Sequence, residues 1–509
     1  MSASSLVVTA TSVDDMLRHM HSKGIALWAV NGQLRYRAPK GSMTPQDVHA
    51  LLACRSEIIG KLEAKRQPTV EPAVDHQRHA LTFSQLTHWH GSELQMQSSV
   101  RHIVSASRLR GRLNIKLLER SLAQLVHRHE ALRSRIVLHE GAPMLEVAPS
   151  GTLPCTLHDL TNHDPRQREH ELEQWIRGLV LEPLTVVEGT LTIVHLARLD
   201  RHEHALVIAM EHIISDVVSM NILTRELFAM YRQLELGDPV QLPAVITPFS
   251  EYARWQRAGH EKWLDEHGGY WNRRLQDCGR LSFPRDVEGA LAGRAGWGTV
   301  AVQVGPELKT ALHAWCRKHR TTLVLAMLTA FATAVLRWCN SADGVIRYQT
   351  NGRSEPSIAN TIGYFASMLH LRVQMPASGD FLALLKQLTD EYCNAYQHHD
   401  FSYIDAQVPA AEYTRNPCFN WIAGDAAGRE DDASASTGLR VEPVRFANPR
   451  LDGYDKDAEP VLLLYEGHSE ILGGVHFPRD RLSAAGMQRF VATFMEVLEG
   501  LKAQADAVS

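Results

Sequence analysis

From residue 80 onward the chain alternates strand-like and helix-like hydrophobic patterns, with no detectable repeat. LTIVHLARLD and HEHALVIAMEHI read as paired strands joined by a polar turn, and SMNILTRELFAMYRQLEL reads as the helix that follows. LERSLAQLVHRHEALRSRI is an amphipathic helix leading into a strand around IVLHEGAPMLEV. TTLVLAMLTAFATAVLRWC is a strongly apolar helix, and VLLLYEGHSEILGGVHF is a hairpin before a last helix ending near Leu501. A helix must cover one apolar stripe and a strand at least one face, so such alternation commits the chain to layered α/β lobes. A stretch of this length suits two lobes with a cleft between them.

The first 66 residues are of another kind. Ser12 offers an N-cap, Asp14 and Asp15 stand in the first turn, and Met16, Leu17 and Met20 form an apolar stripe that Gly24 ends. Two β-prone runs then flank Asn31-Gly32, the strongest short hairpin signal available. Pro39-Lys40-Gly41 breaks the chain, and Thr44-Pro45 opens one helix through VHALLACRSEIIGKLEAK. A helix, hairpin and helix module follows, small but able to fold. Residues 67–79 are polar, hold two prolines and have no period, which predicts a linker.

Charge separates the two parts. The chain carries 53 basic and 57 acidic residues, a net of −4. Residues 1–66 hold nine Lys/Arg against five Asp/Glu, a net of +4, leaving −8 for the remainder. The whole chain therefore lacks a nucleic-acid footprint, and its start is the part suited to an acidic partner. The seven cysteines are scattered without a C-x-x-C pair, which fits a reducing compartment. With no signal-peptide pattern and no apolar run near the roughly 18 residues a membrane span needs, a cytoplasmic protein with no membrane partner is expected.

The chemistry concentrates in Ala205–Met220, ALVIAMEHIISDVVSM. An apolar strand ends at Met210, and Glu211, His212, Ser215, Asp216 and Ser219 arrive before a helix. A histidine at a strand end can project into a cleft, and an aspartate four residues later can cap the next helix. Taken alone, that spacing also describes a core or capping His–Asp pair. His202, His204, His212 and Glu211 match no standard zinc spacing, so no metal is expected. Serine-hydrolase, P-loop and dinucleotide signatures are absent from the sequence.

The surroundings of that stretch carry a resemblance. LTFSQLTHW (81–89) is similar to S-x-A-Q-x-R-x-W, keeping Gln85 and Trp89 with Thr87 in place of arginine. RHEALRSRI (128–136) resembles RHExLRTxF, YARWQR (252–257) with YW at 270–271 a fourth motif, IGYFASMLHLR (362–372) the pattern IGxFVNTLxLR, and RNPCFNW (415–421) R-N-P-x-F. With Glu211, His212, Asp216 and Ser219 in the frame HHxxxDGxS, six motifs stand in order. The chain thus resembles the condensation domains of nonribosomal peptide synthetases over nearly all of residues 80–500.

The resemblance implies two chloramphenicol-acetyltransferase-like lobes in a V, an N-lobe at 80–255 and a C-lobe at 256–509, with the active site between them. It implies that His212 accepts or orients the proton of an amine or hydroxyl attacking a thioester, a task suited to imidazole at neutral pH. It assigns Asp216 and Arg353, in TNGRSEP, to a structural pair across the lobes, with Ser219 beside them. Two departures stand out: Glu211 replaces the first histidine and Val217 the glycine. Glu211 is either structural or a holder of His212; Val217 adds bulk where glycine permits close approach. Ser367 replaces the asparagine of the fifth motif.

Residues 1–66 resemble the β-hairpin docking domains of synthetase subunits, carried by Gly24–Leu27, the Gly32 turn, LRYRAPKG (34–41) and the helix with Arg55. The resemblance implies a short, often acidic motif at the C-terminus of an upstream subunit, added as a strand to the hairpin edge, with Arg35, Arg37 and Lys40 complementing its charge. Exposed basic residues are otherwise an ordinary solvated face. Gly473-Gly474 precedes Val475 rather than serine, so it is no phosphopantetheine attachment site. No adenylation or carrier domain is found within the 509 residues. The expectation is therefore a free-standing enzyme without a bound cofactor, its donor presented on the phosphopantetheine of a separate carrier protein. The acceptor is a small molecule or a second carrier, and release as amide or ester is favoured, as in some members that act on polyketide chains. The competing expectation is an inert condensation-like scaffold that binds carriers; a relative acting on acyl-coenzyme A is a third, disfavoured by the docking module.

Overall fold

The computed structural model describes residues 13, 16, 19–20, 23, 25–30, 33–37, 43–64, 78–93, 102–164, 167–182, 184, 186–187, 189–287, 296–399, 415–423, 438–444 and 459–506. The expected hairpin is present: β1 (Ala26–Val30) pairs antiparallel with β2 (Gln33–Arg37) across residues 31–32. The single helix expected after Thr44 is two, Pro45–Ala53 and Arg55–Ala64. The break lies at Cys54, whose N–H is shared between the carbonyls of Ala50 and Leu52 while its backbone leaves the helical region. Val13, Met16, Met20, Ile25, Leu51 and Ile58 form the module's own small core.

Asp47 is the polar centre of that module. Its carboxylate accepts hydrogen bonds from Thr44 N–H at 2.8 Å, Thr44 Oγ1 at 2.6 Å and Lys23 Nζ at 2.5 Å, with His19 Nε2 at 3.0 Å. Burial pushes the carboxyl up, but the bonds from Lys23, Thr44 and His19 outweigh it and hold Asp47 well below the usual carboxylate range. A carboxyl depressed in the folded state stabilises above its unfolded value, about 3.9, and loses that contribution as pH falls below it. We expect Asp47→Asn to cost the module about 1–2 kcal/mol at neutral pH. Hydrogen exchange would then rise within residues 13–63 and stay unchanged beyond residue 102; equal protection in both chains would contradict it.

The expected linker ends early. Arg78 and His79 belong to β3 (Arg78–Ala80), which pairs with β6 (Ala142–Val147). An ion pair from Arg78 Nε to Glu146 at 2.7 Å, and burial of His79, draw these residues into the lobe. The strand expected around IVLHEGAPMLEV is also a hairpin, β5 (Ser134–His139) with β6. Glu140 and Gly141 make its turn at φ 51° and 81°. The main sheet of this lobe places β4 (His102–Arg110), β9 (Glu203–Glu211), β8 (Thr192–Asp200) and β7 (Cys155–Asp159) side by side.

The second lobe is a six-stranded sheet of β10 (Trp297–Val304), β16 (Ile471–Pro478), β15 (Val461–Glu466), β13 (Cys418–Ile422), β11 (Asp343–Thr350) and β12 (Ser367–Gln374) in that order. Its apolar helix, Leu323–Trp338, is capped by Thr322 and buries Phe331 against Phe419 and Phe490. No single helix among the described residues is long and apolar enough to cross a membrane.

Two segments from the second half of the chain stitch the lobes together. β14 (Arg440–Pro443) adds to β4 as an edge strand of the first lobe's sheet. Ile358, Ile362 and Phe365 pack into the first lobe's core. The helix Phe249–Ala258 spans the position where the second lobe is expected to begin; its Phe249 and Tyr252 join the first core, whereas Trp271 and Leu275 join the second.

Candidate active site

β9 lies between β4 and β8, so nearly every residue along it is buried. Glu211 closes the strand, a 3-10 turn spans His212–Ile214, and the helix Val217–Leu236 begins behind it. Asp216 N-caps this helix, Oδ1 accepting the Ser219 N–H at 2.7 Å. The same oxygen accepts Arg353 Nη2 at 3.1 Å, and Oδ2 accepts the Phe365 N–H at 3.1 Å. The structure thus brings Asp216 and Arg353 together, both nearly solvent-free, with the guanidinium 4.1 Å from the Phe365 ring centroid. Burial pulls Arg353 down from its ordinary value and Asp216 offsets part of that. Ser219 grips the facing loop from both sides: Oγ donates to the Gly363 carbonyl at 2.7 Å and accepts the Gly363 N–H at 3.0 Å. It also accepts Arg353 Nη2 at 2.8 Å. Gly352, at φ 63°, is required before Arg353 because a Cβ there would run into the Phe365 carbonyl.

His212 stands at the centre. Its Nδ1 lies 3.0 Å from the Ser215 carbonyl, which can only accept, so Nδ1 carries the hydrogen and the neutral ring presents Nε2 as its basic atom. Ser215 is itself anchored, Oγ donating to the Glu211 carbonyl at 3.0 Å. The His212 ring packs on Tyr364, centroids 5.0 Å apart and edge-on, and on His88 at 5.4 Å. Burial and the nearby Asp216 charge push the Tyr364 phenol up to about 12, so it is neutral and can donate. Glu211 is buried, and its carboxylate lies 3.8 Å from His88 Nε2. Val217, the first residue of the helix, is partly exposed.

His88 and Tyr364 pack on His212, and the motifs single out neither. The helix Phe83–Glu93 is held to the 3-10 turn by Gln85, whose Nε2 donates to the Ile213 carbonyl at 2.7 Å. His88 follows three residues later on the same face, and that spacing was the available signal. In the docking module, Arg35 and Arg37 lie in β2 opposite Trp28 and Ala26, and Lys40 falls outside the described residues. Among the described residues, no group of three or more His, Cys, Asp or Glu could hold a metal ion.

Residues 75–422 match the condensation-domain family, so the chain belongs to it. Residues 13–63 match the TubC N-terminal docking domain, so the two parts read from charge and pattern are two recognised modules. One of the proteins that make up the linear gramicidin synthase of Brevibacillus parabrevis is 29% identical over 326 residues, 63% of this chain and 6% of that protein. Malpibaldin synthetase of Mortierella alpina is 27% identical over 435 residues, 84% of this chain and 8% of its own. The chain therefore spans a small part of the curated relatives it matches.

Among solved structures, the cyclization-docking bidomain of EpoB from Sorangium cellulosum superposes at a TM-score of 0.73 and 18% identity, over 96% of this chain and 98% of that one. A structure describing condensation-domain-mediated chain release from the enacyloxin polyketide synthase gives 0.67 at 21% identity, over 97% and 96%. The fold is that of condensation domains: two chloramphenicol-acetyltransferase-like lobes behind a docking module.

Proposed function

We propose that this chain is an acyltransferase that moves an acyl, peptidyl or polyketide chain from a carrier-protein thioester to an amine or hydroxyl acceptor. The carrying observation is the tautomer of His212: with Nδ1–H committed to the Ser215 carbonyl, Nε2 is the basic atom of the neutral ring. The acceptor N–H or O–H gives its proton to Nε2 as its lone pair adds to the thioester carbonyl. Collapse of the tetrahedral adduct breaks the C–S bond, the imidazolium returns the proton to the thiolate, and an amide or ester leaves beside a free phosphopantetheine thiol. Asp216, Ser219 and Arg353 hold the Gly363–Phe365 loop, and with it Tyr364, against His212.

Delivery of the donor by an upstream subunit is supported by the docking-domain match and by the paired edge strands β1 and β2. A short acidic C-terminal motif of that subunit would add to the hairpin, with Arg35 and Arg37 on β2 and Lys40 beyond it supplying charge. Chain release to a small acceptor is preferred over transfer to a second carrier, on the likeness to the enacyloxin chain-release structure, which includes a comparable share of both chains. The scaffold alternative draws on Val217, a partly exposed branched side chain at the glycine position of the motif.

Intact-protein mass spectrometry of a loaded donor carrier, incubated with this chain and a panel of amines and alcohols, decides between them. We expect the carrier to lose its acyl mass only when the chain and a competent acceptor are both present. An unchanged carrier with every small acceptor, but transfer to a second loaded carrier, would favour carrier-to-carrier transfer. No transfer to any acceptor would favour the scaffold.

A further inference from the structure

Glu211 puts a carboxylate where the family motif has imidazole, and a buried carboxylate without a cation is costly. The side chain facing it from another element is His88, whose Nε2 stands 3.8 Å from Glu211 Oε1, the two side chains being 16% and 3% exposed. His88 is held there by its helix, because Gln85, one turn earlier on the same face, is tied to the Ile213 carbonyl at 2.7 Å. Its ring packs edge-on against Tyr364 at 5.7 Å and beside His212 at 5.4 Å, so the three rings touch one another in a closed triangle. The site thus holds an imidazole on the neighbouring helix and a carboxylate at the strand end.

We propose that His88 is a positioning residue for His212: paired with the Glu211 carboxylate, it carries a positive charge that shields His212 from that carboxylate and sets the pH range over which His212 takes up a proton. A nearby opposite charge favours the charged form of a titrating group, and Glu211 immediately precedes His212 and meets the His88 ring that packs on it, so an unshielded Glu211 would favour the imidazolium of His212. A base that is already protonated cannot accept the acceptor's proton. Asp216 is compensated by Arg353 at 3.1 Å, and Tyr364 is a neutral phenol. His102 on β4 is the cross-strand partner of Glu211, is buried, and is the one competing imidazole that the sheet register offers.

This inference rests on the reading of His212 as the base, but its test does not depend on turnover. The full chain is labelled with 15N-histidine, the His212 signal is assigned by its loss in His212→Gln, and the imidazoles are titrated. In the unsubstituted protein His88 is expected to remain imidazolium at pH values where His212 is already neutral; a neutral His88 there overturns the proposal without any variant. His88→Asn should raise the protonation midpoint of His212 by about one pH unit. Glu211→Gln combined with His88→Asn should bring it back toward the original value, because carboxylate and imidazolium leave together. An unmoved midpoint in His88→Asn, a full shift persisting in the double variant, or the same shift produced by His102→Asn instead would each overturn it. If His88→Asn does not fold, as judged by its melting curve, His88→Gln and the direct reading of His88 still decide. A moved midpoint with no acyl transfer by the unsubstituted chain would sink the functional reading and leave the charge pairing standing.

Discussion

His212→Ala is expected to lower the rate of acyl transfer from a loaded carrier by about 10²–10⁴-fold, the range that a positioned general base supplies. The substitution removes Nε2, the atom that takes the acceptor's proton, and with it the hydrogen bond from Nδ1 to the Ser215 carbonyl. It leaves untouched the features that build the surrounding backbone. Asp216 still caps the helix Val217–Leu236, Ser219 still grips Gly363, and Gln85 still holds the Ile213 carbonyl. The ring contacts with Tyr364 and His88 are lost, but the caps and backbone ties around them remain, so the melting temperature should move little. Single-turnover loss of the acyl mass from the carrier is the measurement. A rate within about twofold of the unsubstituted chain would show that His212 is not the base, since one proton transfer is worth far more than that.

The outcome bears on Glu211 as well. Were Glu211 itself the base, His212→Ala would leave most of the activity in place and Glu211→Gln would remove it. The geometry points the other way. Glu211 is buried at the strand end, between a helix and a neighbouring strand, whereas the His212 ring has its Nδ1 fixed by a backbone carbonyl and packs on Tyr364 and His88.

Much of this arrangement is legible in the residues, and the reasons differ from place to place. Asn31-Gly32 predicts its hairpin because few residues tolerate the left-handed turn that joins two twisted strands, and β1 and β2 pair across it. β8 and β9 are legible as two β-prone runs joined by a polar turn, β9 with an unbroken apolar stretch from Ala205 to Met210 that suits a strand buried between two others. The hairpin at Glu140-Gly141 was not, because a glutamate at φ 51° carries no sequence signal for the left-handed region, and β5 and β6 therefore read as one strand. Nor was the break at Cys54, where both flanking segments have ordinary helix formers and the junction is marked by a shared N–H and a backbone that leaves the helical region. Long-range pairing is the least visible layer. β14 leaves the second half of the chain to edge the first lobe's sheet, and no local pattern says which sheet a four-residue strand will join. His88 was hidden for the same reason: its helix and spacing are readable, but that the face meets His212 depends on Gln85 reaching a carbonyl 128 positions away.

Asp216→Ala is expected to destabilise the protein by about 3–5 kcal/mol, the usual cost of removing one partner of a buried ion pair. Both side chains are almost wholly buried, at 4% for Asp216 and 5% for Arg353, so solvent screening gives no relief. Three losses combine: the N-cap to the Ser219 N–H, the partner of the Phe365 N–H, and the counter-charge of Arg353. They can be separated. Asp216→Asn keeps an oxygen able to cap the helix, since Asn and Asp cap about equally well, yet leaves the guanidinium without a counter-charge. Asp216→Ala with Arg353→Met removes the stranded charge and should recover a large part of the loss in urea unfolding, because well-packed apolar replacements of buried pairs are often neutral. If the double variant is no more stable than Asp216→Ala, the uncompensated charge is not the main cost and capping with backbone support is. Activity should then follow a different order from stability. The recovered double variant no longer ties Asp216 to the Phe365 N–H, so the loop carrying Tyr364 is no longer pinned against His212, and its transfer rate should stay low although its fold has been restored.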